Sequence, residues 1–134
     1  MIIKDKVIIY TNDNCDYCRV IKEELTKNNI KFSERLITKW TEAWAETVGL
    51  TNMPITPTIY YKDNYFVAGR DFSNQTSLIK ILENFKPSTF GNSIQTLERI
   101  KTLNYNMSVA FGRLDQLLRQ IETKINTDEY KSTN

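Results

Sequence analysis

The sequence predicts an α/β domain of order βαβαββα around a mixed four-stranded sheet, followed by a long amphipathic helix. Three observations predict it. Short β-branched apolar runs alternate with segments of helical period through Lys86, which is the pattern of parallel crossover units. A run of strand formers is then interrupted by a short polar turn, which reads as a hairpin. From Ser93 the apolar residues return in steps of three and four without a break.

In order, "KVIIYT" followed by "NDN" makes Val7 to Thr11 a buried strand ending in a turn. Tyr17, Ile21 and Leu25 then share one helical face, and "KNN" closes that helix near Asn28 or Asn29. "IKFSERLI" resumes a strand, joined to the first by a right-handed crossover. "WTEAWAETVGL" places Trp40, Trp44 and Val48 at helical spacing and stops at Gly49, with the tryptophans read as packing residues. "TPTIYYKDNYFVAG" reads as a hairpin turning at Asp63 and Asn64. "SNQTSLIKILENF" reads as a helix capped by Ser73, with Leu78, Ile81, Leu82 and Phe85 facing inward. These elements define a domain over residues 1–86.

Bulk properties exclude several function classes. Of 134 residues, 40% are hydrophobic, enough for a core, while a net charge of +2 provides no strong electrostatic footprint for nucleic acid. No apolar run approaches the roughly 18 residues of a membrane span, and the start "MIIKDKVIIYTN" carries charges too early for a secretory signal. The expected location is cytoplasmic; abundant Asn, Lys and Ile suit an AT-rich genome such as a phage's, for which the place is the host cytoplasm or the virion.

In a reducing compartment a lone cysteine pair is more often catalytic or metal-binding than a staple. Both cysteines lie in "TNDNCDYCRVIKEEL", at the strand-to-helix turn. Backbone amides and the helix dipole favour negative charge there, so Cys15 should lose its proton more readily than a free thiol of pKa about 8.5. Cys18, one turn later, can reach its sulfur, and C-x-x-C beside a βαβ pattern is the signature of a thioredoxin-like redox site. A structural zinc wants four Cys or His ligands, and two Cys with zero His leave a monomer without a metal site.

Over residues 1–86 the chain resembles a glutaredoxin. "CDYC" resembles the family's C-P-Y-C and C-S-Y-C sites, "MPITPTIYY" its T-V-P segment, and "FVAGRDF" its G-G-x-x-D segment, in the family's order. The resemblance implies a thioredoxin-like fold and a glutathione-dependent thiol–disulfide oxidoreductase, with no tightly bound cofactor and with glutathione as co-substrate. It implies Cys15, Cys18, Tyr17 and Pro57 as the catalytic set, Pro57 being a cis-proline that faces the cysteines. Thr56, Pro57, Arg70, Asp71, Lys22 and Tyr17 are implied as glutathione contacts, Thr56 through its backbone. Disulfide-containing proteins are the implied substrates. The chain departs from the family at Asn12, where a lysine is common, at Asp16 in place of proline or serine, at Ala68 for the first glycine, and at Phe72 for an acidic residue. Asp16 also leaves open an iron–sulfur-binding dimer, since such carriers lack the proline.

Beyond the resemblance, "KPSTFGN" reads as a linker over 87–92 and residues 93–126 as a helical interaction segment, with a disordered tail over 127–134. Ile100, Leu103, Met107, Ala110, Leu114, Leu117 and Ile121 form a coiled-coil-like seam, which Leu97, Phe111, Leu118 and Ile125 widen. A stripe this wide needs a cover. The candidates are its own domain, a second copy of the chain or a larger assembly, and the last two make an interaction module the alternative function.

Overall fold

A computed structural model of the chain describes residues 3, 5–86 and 94–132, without the side chains of Gln95 and of residues 127–132. It divides into two compact units, Met1–Thr102 and Leu103–Asn134. The segment read as a linker, 87–92, lies outside the described residues.

The first unit is built on a sheet of order β2-β1-β3-β4. Its centre is β1 (Val7–Thr11), buried at every residue as its unbroken apolar run requires. β2 (Ser33–Leu36) pairs with it in parallel, and β3 (Thr58–Tyr61) pairs antiparallel on the other side. β4 (Asn64–Val67) closes the hairpin with β3, placing Ile59 opposite both Ile9 and Phe66. Alternation along the strands sends Val7, Ile9, Ile59, Tyr61 and Phe66 to one face. There they meet Ile21 and Leu25 of α1 (Asp16–Lys27) and Leu78, Ile79 and Leu82 of α3 (Gln75–Asn84). Each such side chain contributes about 1.5–3 kcal/mol on burial. On the opposite face the Tyr10 ring lies 5.6 Å from that of Trp44 on α2 (Thr41–Thr51). The βαβαββα order and the mixed sheet with helices on both faces are as the sequence predicts.

Three local expectations are corrected. The hairpin turns at Lys62 and Asp63, both at positive φ, so Asn64 is already strand. α3 is capped by Asn74, whose side chain accepts from the Ser77 N–H while Ser77 Oγ accepts from the Asn74 N–H; Ser73 is not the cap. α2 runs through Gly49 to Thr51 instead of stopping at Gly49, and its buried residues are Thr47 and Thr51; Trp40, partly exposed, packs under the Arg35 guanidinium 4.4 Å from its ring. Threonines can fill that face because each hydroxyl donates to the carbonyl four residues back, Ala43 and Thr47, and leaves no unmet polar group.

The last helix, α4 (Ile94–Ser132), extends past the Asn126 limit read from sequence, so residues 127–132 are helical. Its opening turns belong to the first unit, which runs to Thr102 where the sequence drew the domain at Lys86. Arg99 Nη2 donates to the Gly49 carbonyl at 3.2 Å and Thr102 Oγ1 to the Thr51 carbonyl at 2.5 Å. Glu98, wholly buried, accepts the Tyr65 N–H at 3.0 Å, while Arg70 and Lys101 donate to the Tyr65 carbonyl at 3.0 and 3.4 Å. Asp71 accepts the Val67 N–H at 2.7 Å and returns its own N–H to the Val67 carbonyl at 2.9 Å. The outward groups of the edge strand β4 are thus met by side chains and by the Asp71 N–H instead of a further strand.

Candidate functional site

The site forms where β1 hands over to α1. Cys15 is the N-cap of α1, in an extended conformation, and its sulfur accepts the Cys18 N–H at 3.0 Å. Its own N–H donates to the Asn12 carbonyl at 3.2 Å, which closes the "NDN" turn. The two cysteines are joined as a disulfide with a Cα–Cα distance of 5.2 Å. They are unequal in exposure: Cys15 is half-buried, whereas Cys18, on the inward face of α1 with Ile21 and Leu25, is 1% exposed.

Across from the pair, the Thr56–Pro57 peptide is cis, and the Thr56 carbonyl oxygen lies 3.8 Å from Cys15 Sγ. The resemblance implied both the isomer and the position facing the cysteines. Pro57 is buried, and its carbonyl accepts the Ala68 N–H at 3.2 Å, which ties the segment to the turn after β4. Residues 7–66, spanning the strand, the cysteine pair and this proline, match the family model described as Glutaredoxin. They form a glutaredoxin domain. A crystal structure of glutaredoxin 1 from Francisella tularensis complexed with cacodylate is similar at 28% identity, with a TM-score of 0.42, over 59% of this chain and 93% of that one. Among curated proteins, none matches.

The remaining sequence-derived site residues, within the glutaredoxin domain and just after it, fall into two groups. Tyr17, inside the cysteine turn, stacks on Phe72 with ring centroids 6.1 Å apart, and its hydroxyl is buried without a partner among the described residues. Burial pushes that hydroxyl's pKa upward. Tyr17, Pro57, Thr56 and both cysteines therefore belong to one locus. Lys22 is turned elsewhere: its ammonium meets the Glu34 carboxylate at 2.6 Å, and it lines a groove along α1 with Arg19, Glu23, Thr26 and Lys27 that includes neither cysteine.

Arg70 is the larger departure. Its side chain is 1% exposed, and its guanidinium is committed to protein acceptors on Asp71, Glu98, Tyr65 and Thr102. It has no surface to offer a ligand, which corrects the reading of its side chain as a glutathione contact. Asp71 is held in the same cluster by Arg70 and by the Val67 N–H. Sequence reasoning missed Phe72 as the partner of Tyr17, having noted it only as a non-acidic departure. It also missed Glu98, which lies on the helical side opposite Ile100 and reads as a solvated charge. Among the described residues no group of three or more His, Cys, Asp or Glu is placed to hold a metal ion, and no helix is long and apolar enough to cross a membrane.

Proposed function

We propose that the glutaredoxin domain is a glutathione-dependent thiol–disulfide oxidoreductase in which Cys15 is the nucleophile and Cys18 the resolving thiol. The observation that carries this reading is the asymmetry of the pair: Cys15 is accessible at a helix N-terminus with an amide aimed at its sulfur, and Cys18 is enclosed one turn later. An N–H directed at a sulfur favours the thiolate, which is the attacking species.

In the reduced protein the Cys15 thiolate attacks the glutathione sulfur of a mixed disulfide. The Cys15–glutathione bond forms, the old disulfide breaks, and the substrate leaves as a thiolate that takes a proton from solvent. A glutathione thiolate then attacks that bond and regenerates Cys15, so one free glutathione is consumed and leaves joined to the substrate's own glutathionyl group as oxidised glutathione, the substrate thiol being the group reduced. For a protein disulfide, Cys18 attacks the Cys15 mixed disulfide instead and forms the intramolecular bridge, which glutathione reduces in turn.

The Thr56 backbone beside Cys15 is suited to pair with the cysteinyl part of glutathione as a strand would, with Pro57 holding it and Tyr17 packed alongside. At Arg70 and Asp71 only the main chain is left to meet the γ-glutamyl end, and the Lys22 charge is largely offset by Glu34. Glutathione affinity should accordingly be modest. The test is glutathione-dependent reduction of a small glutathione mixed disulfide by the purified protein, with glutathione varied. Folded, reduced protein that gives no turnover above the uncatalysed rate would refute this reading.

A second reading concerns the other unit. Leu103, Met107, Phe111, Leu114, Leu117, Leu118, Ile121 and Ile125 are each 46% exposed or more. Eight large apolar side chains on a solvated helix favour association, and a second copy of the same seam is the simplest complement. Through it the chain serves as an assembly module as well as an enzyme. Sedimentation across a concentration series decides: a monomer at high concentration refutes self-association.

A further inference from the structure

Glu98 is 0% exposed, and a carboxylate in such a place must be paired and hydrogen-bonded to persist. Its Oε2 meets Arg70 Nη2 at 2.5 Å, and its Oε1 accepts from the Tyr65 N–H and Lys101 Nζ, both at 3.0 Å. Arg70 in turn uses every donor of its fork. Nε donates to Asp71 Oδ2 at 2.9 Å, Nη1 to the Glu98 carbonyl and Thr102 Oγ1 at 3.3 and 3.1 Å, and Nη2 to Glu98 and the Tyr65 carbonyl.

What this cluster grips is the turn Gly69–Phe72. Gly69 sits at φ 87°, in the left-handed region, and its N–H donates to the Phe72 carbonyl at 2.9 Å. Two lines run from that turn to the redox site. Ala68, its preceding residue, donates to the Pro57 carbonyl at 3.2 Å, next to the Thr56 carbonyl that lies 3.8 Å from Cys15 Sγ. Phe72, 3% exposed, stacks on Tyr17 between the two cysteines. Both walls that flank Cys15 therefore rest on a turn whose arginine is held by a residue of α4.

We propose that Glu98 is a positioning residue for the redox site: through Arg70 it fixes the Gly69–Phe72 turn, and with it the Pro57 segment and the Tyr17 ring. This rests on the reading of Cys15 as the exchanging thiol. The consequence is that the helix beyond the glutaredoxin domain completes the substrate-binding wall. The thiol itself, held by its own helix N-terminus, is untouched.

The test uses the full chain with Glu98→Gln, which keeps the size and removes the charge. The KM for the glutathione mixed disulfide should rise about ten-fold or more with kcat within a few-fold, while the alkylation rate of reduced Cys15 by iodoacetamide stays within about two-fold. In amide NMR spectra of the reduced protein, the Ala68, Phe72 and Tyr17 resonances should shift along with those around Glu98. A folded variant with an unchanged KM overturns the proposal, as does one whose alkylation rate falls in step with its turnover. Should wild-type protein show no glutathione turnover, the proposed function fails; the positioning role is then decided by the Ala68 and Tyr17 resonances, which must move. If Glu98→Gln does not fold, Arg70→Lys, which keeps the charge and loses the fork, takes its place on the same readouts, and unmoved values overturn it equally.

Discussion

Cutting the chain after Lys86, where the sequence marks the end of the domain, should destabilise it severely, whereas cutting after Asn106 should not. The shorter form loses Glu98, Lys101 and Thr102 and leaves the Arg70 guanidinium, 1% exposed in the intact chain, with Asp71 as its one remaining anionic partner. Removing one member of a buried pair costs about 3–5 kcal/mol, and water entering the opened edge favours the low end. For a domain of this size each kcal/mol moves Tm by about 4–8 °C, so a loss near 3 kcal/mol lowers it by roughly 12 °C or more. The longer form keeps the whole unit that ends at Thr102, plus one helical turn to hold it, and should melt within a few degrees of the full chain. Thermal unfolding followed by far-ultraviolet circular dichroism, in reducing buffer and at low protein concentration to suppress association, measures all three. Equal melting temperatures for the two truncated forms would show that the Glu98–Arg70 contact carries no stability, and the argument from burial would be wrong.

Cys15→Ser should abolish turnover on every disulfide substrate, while Cys18→Ser should keep reduction of glutathione mixed disulfides and lose most reduction of protein disulfides; equal losses in both assays would contradict the division of labour. Leu114→Glu with Leu118→Glu should convert an associating full-length protein to monomer without changing turnover, and an unchanged sedimentation coefficient would place the contact elsewhere. The Tyr60 hydroxyl donates to Asp63 Oδ1 at 2.6 Å, and that bond, followed by burial and the aspartate's charge, pushes its pKa up to about 12. Because the folded value exceeds the ordinary value of about 10, the contribution is whole below pH 10 and is lost as pH rises through about 12. A spectrophotometric titration should therefore show a tyrosinate step near pH 12 that Tyr60→Phe removes.

The sequence was most legible where one residue type has one use. The strand run of β1, the cysteine turn and the helical face of Tyr17, Ile21 and Leu25 each follow from period and position, and the structure places them accordingly. Family likeness added Pro57, whose isomer no local pattern could supply. Legibility failed where side chains act against their usual habit. Thr47 and Thr51 are buried because their hydroxyls bond backward along α2, while a hydropathy reading prefers the neighbouring tryptophans. Arg70 reads as a cation for an anionic ligand, since nothing local reveals that a glutamate distant in sequence will enclose it. Glu98 is the hardest case. In a helix whose apolar seam dominates the pattern, the side opposite the seam looks solvated, yet there it meets β4. The boundary at Lys86 moved to Thr102 for that same reason.

The closing of β4 by glutamate, arginine and aspartate side chains bears on what the sheet can recruit. An edge strand usually offers a row of free amides and carbonyls to any extended chain nearby, and sheets that do so are prone to polymerise edge to edge. At Tyr65 and Val67 those groups are already occupied, so this border is sealed, and their amides should exchange with deuterated water as slowly as those of an interior strand. The other border, β2, carries Ser33, Glu34 and Arg35 and, among the described residues, pairs only with β1, in parallel on its inner side. Whatever extended segment the protein accepts as an added strand must therefore enter on the β2 side or at Thr56, and not beside β4.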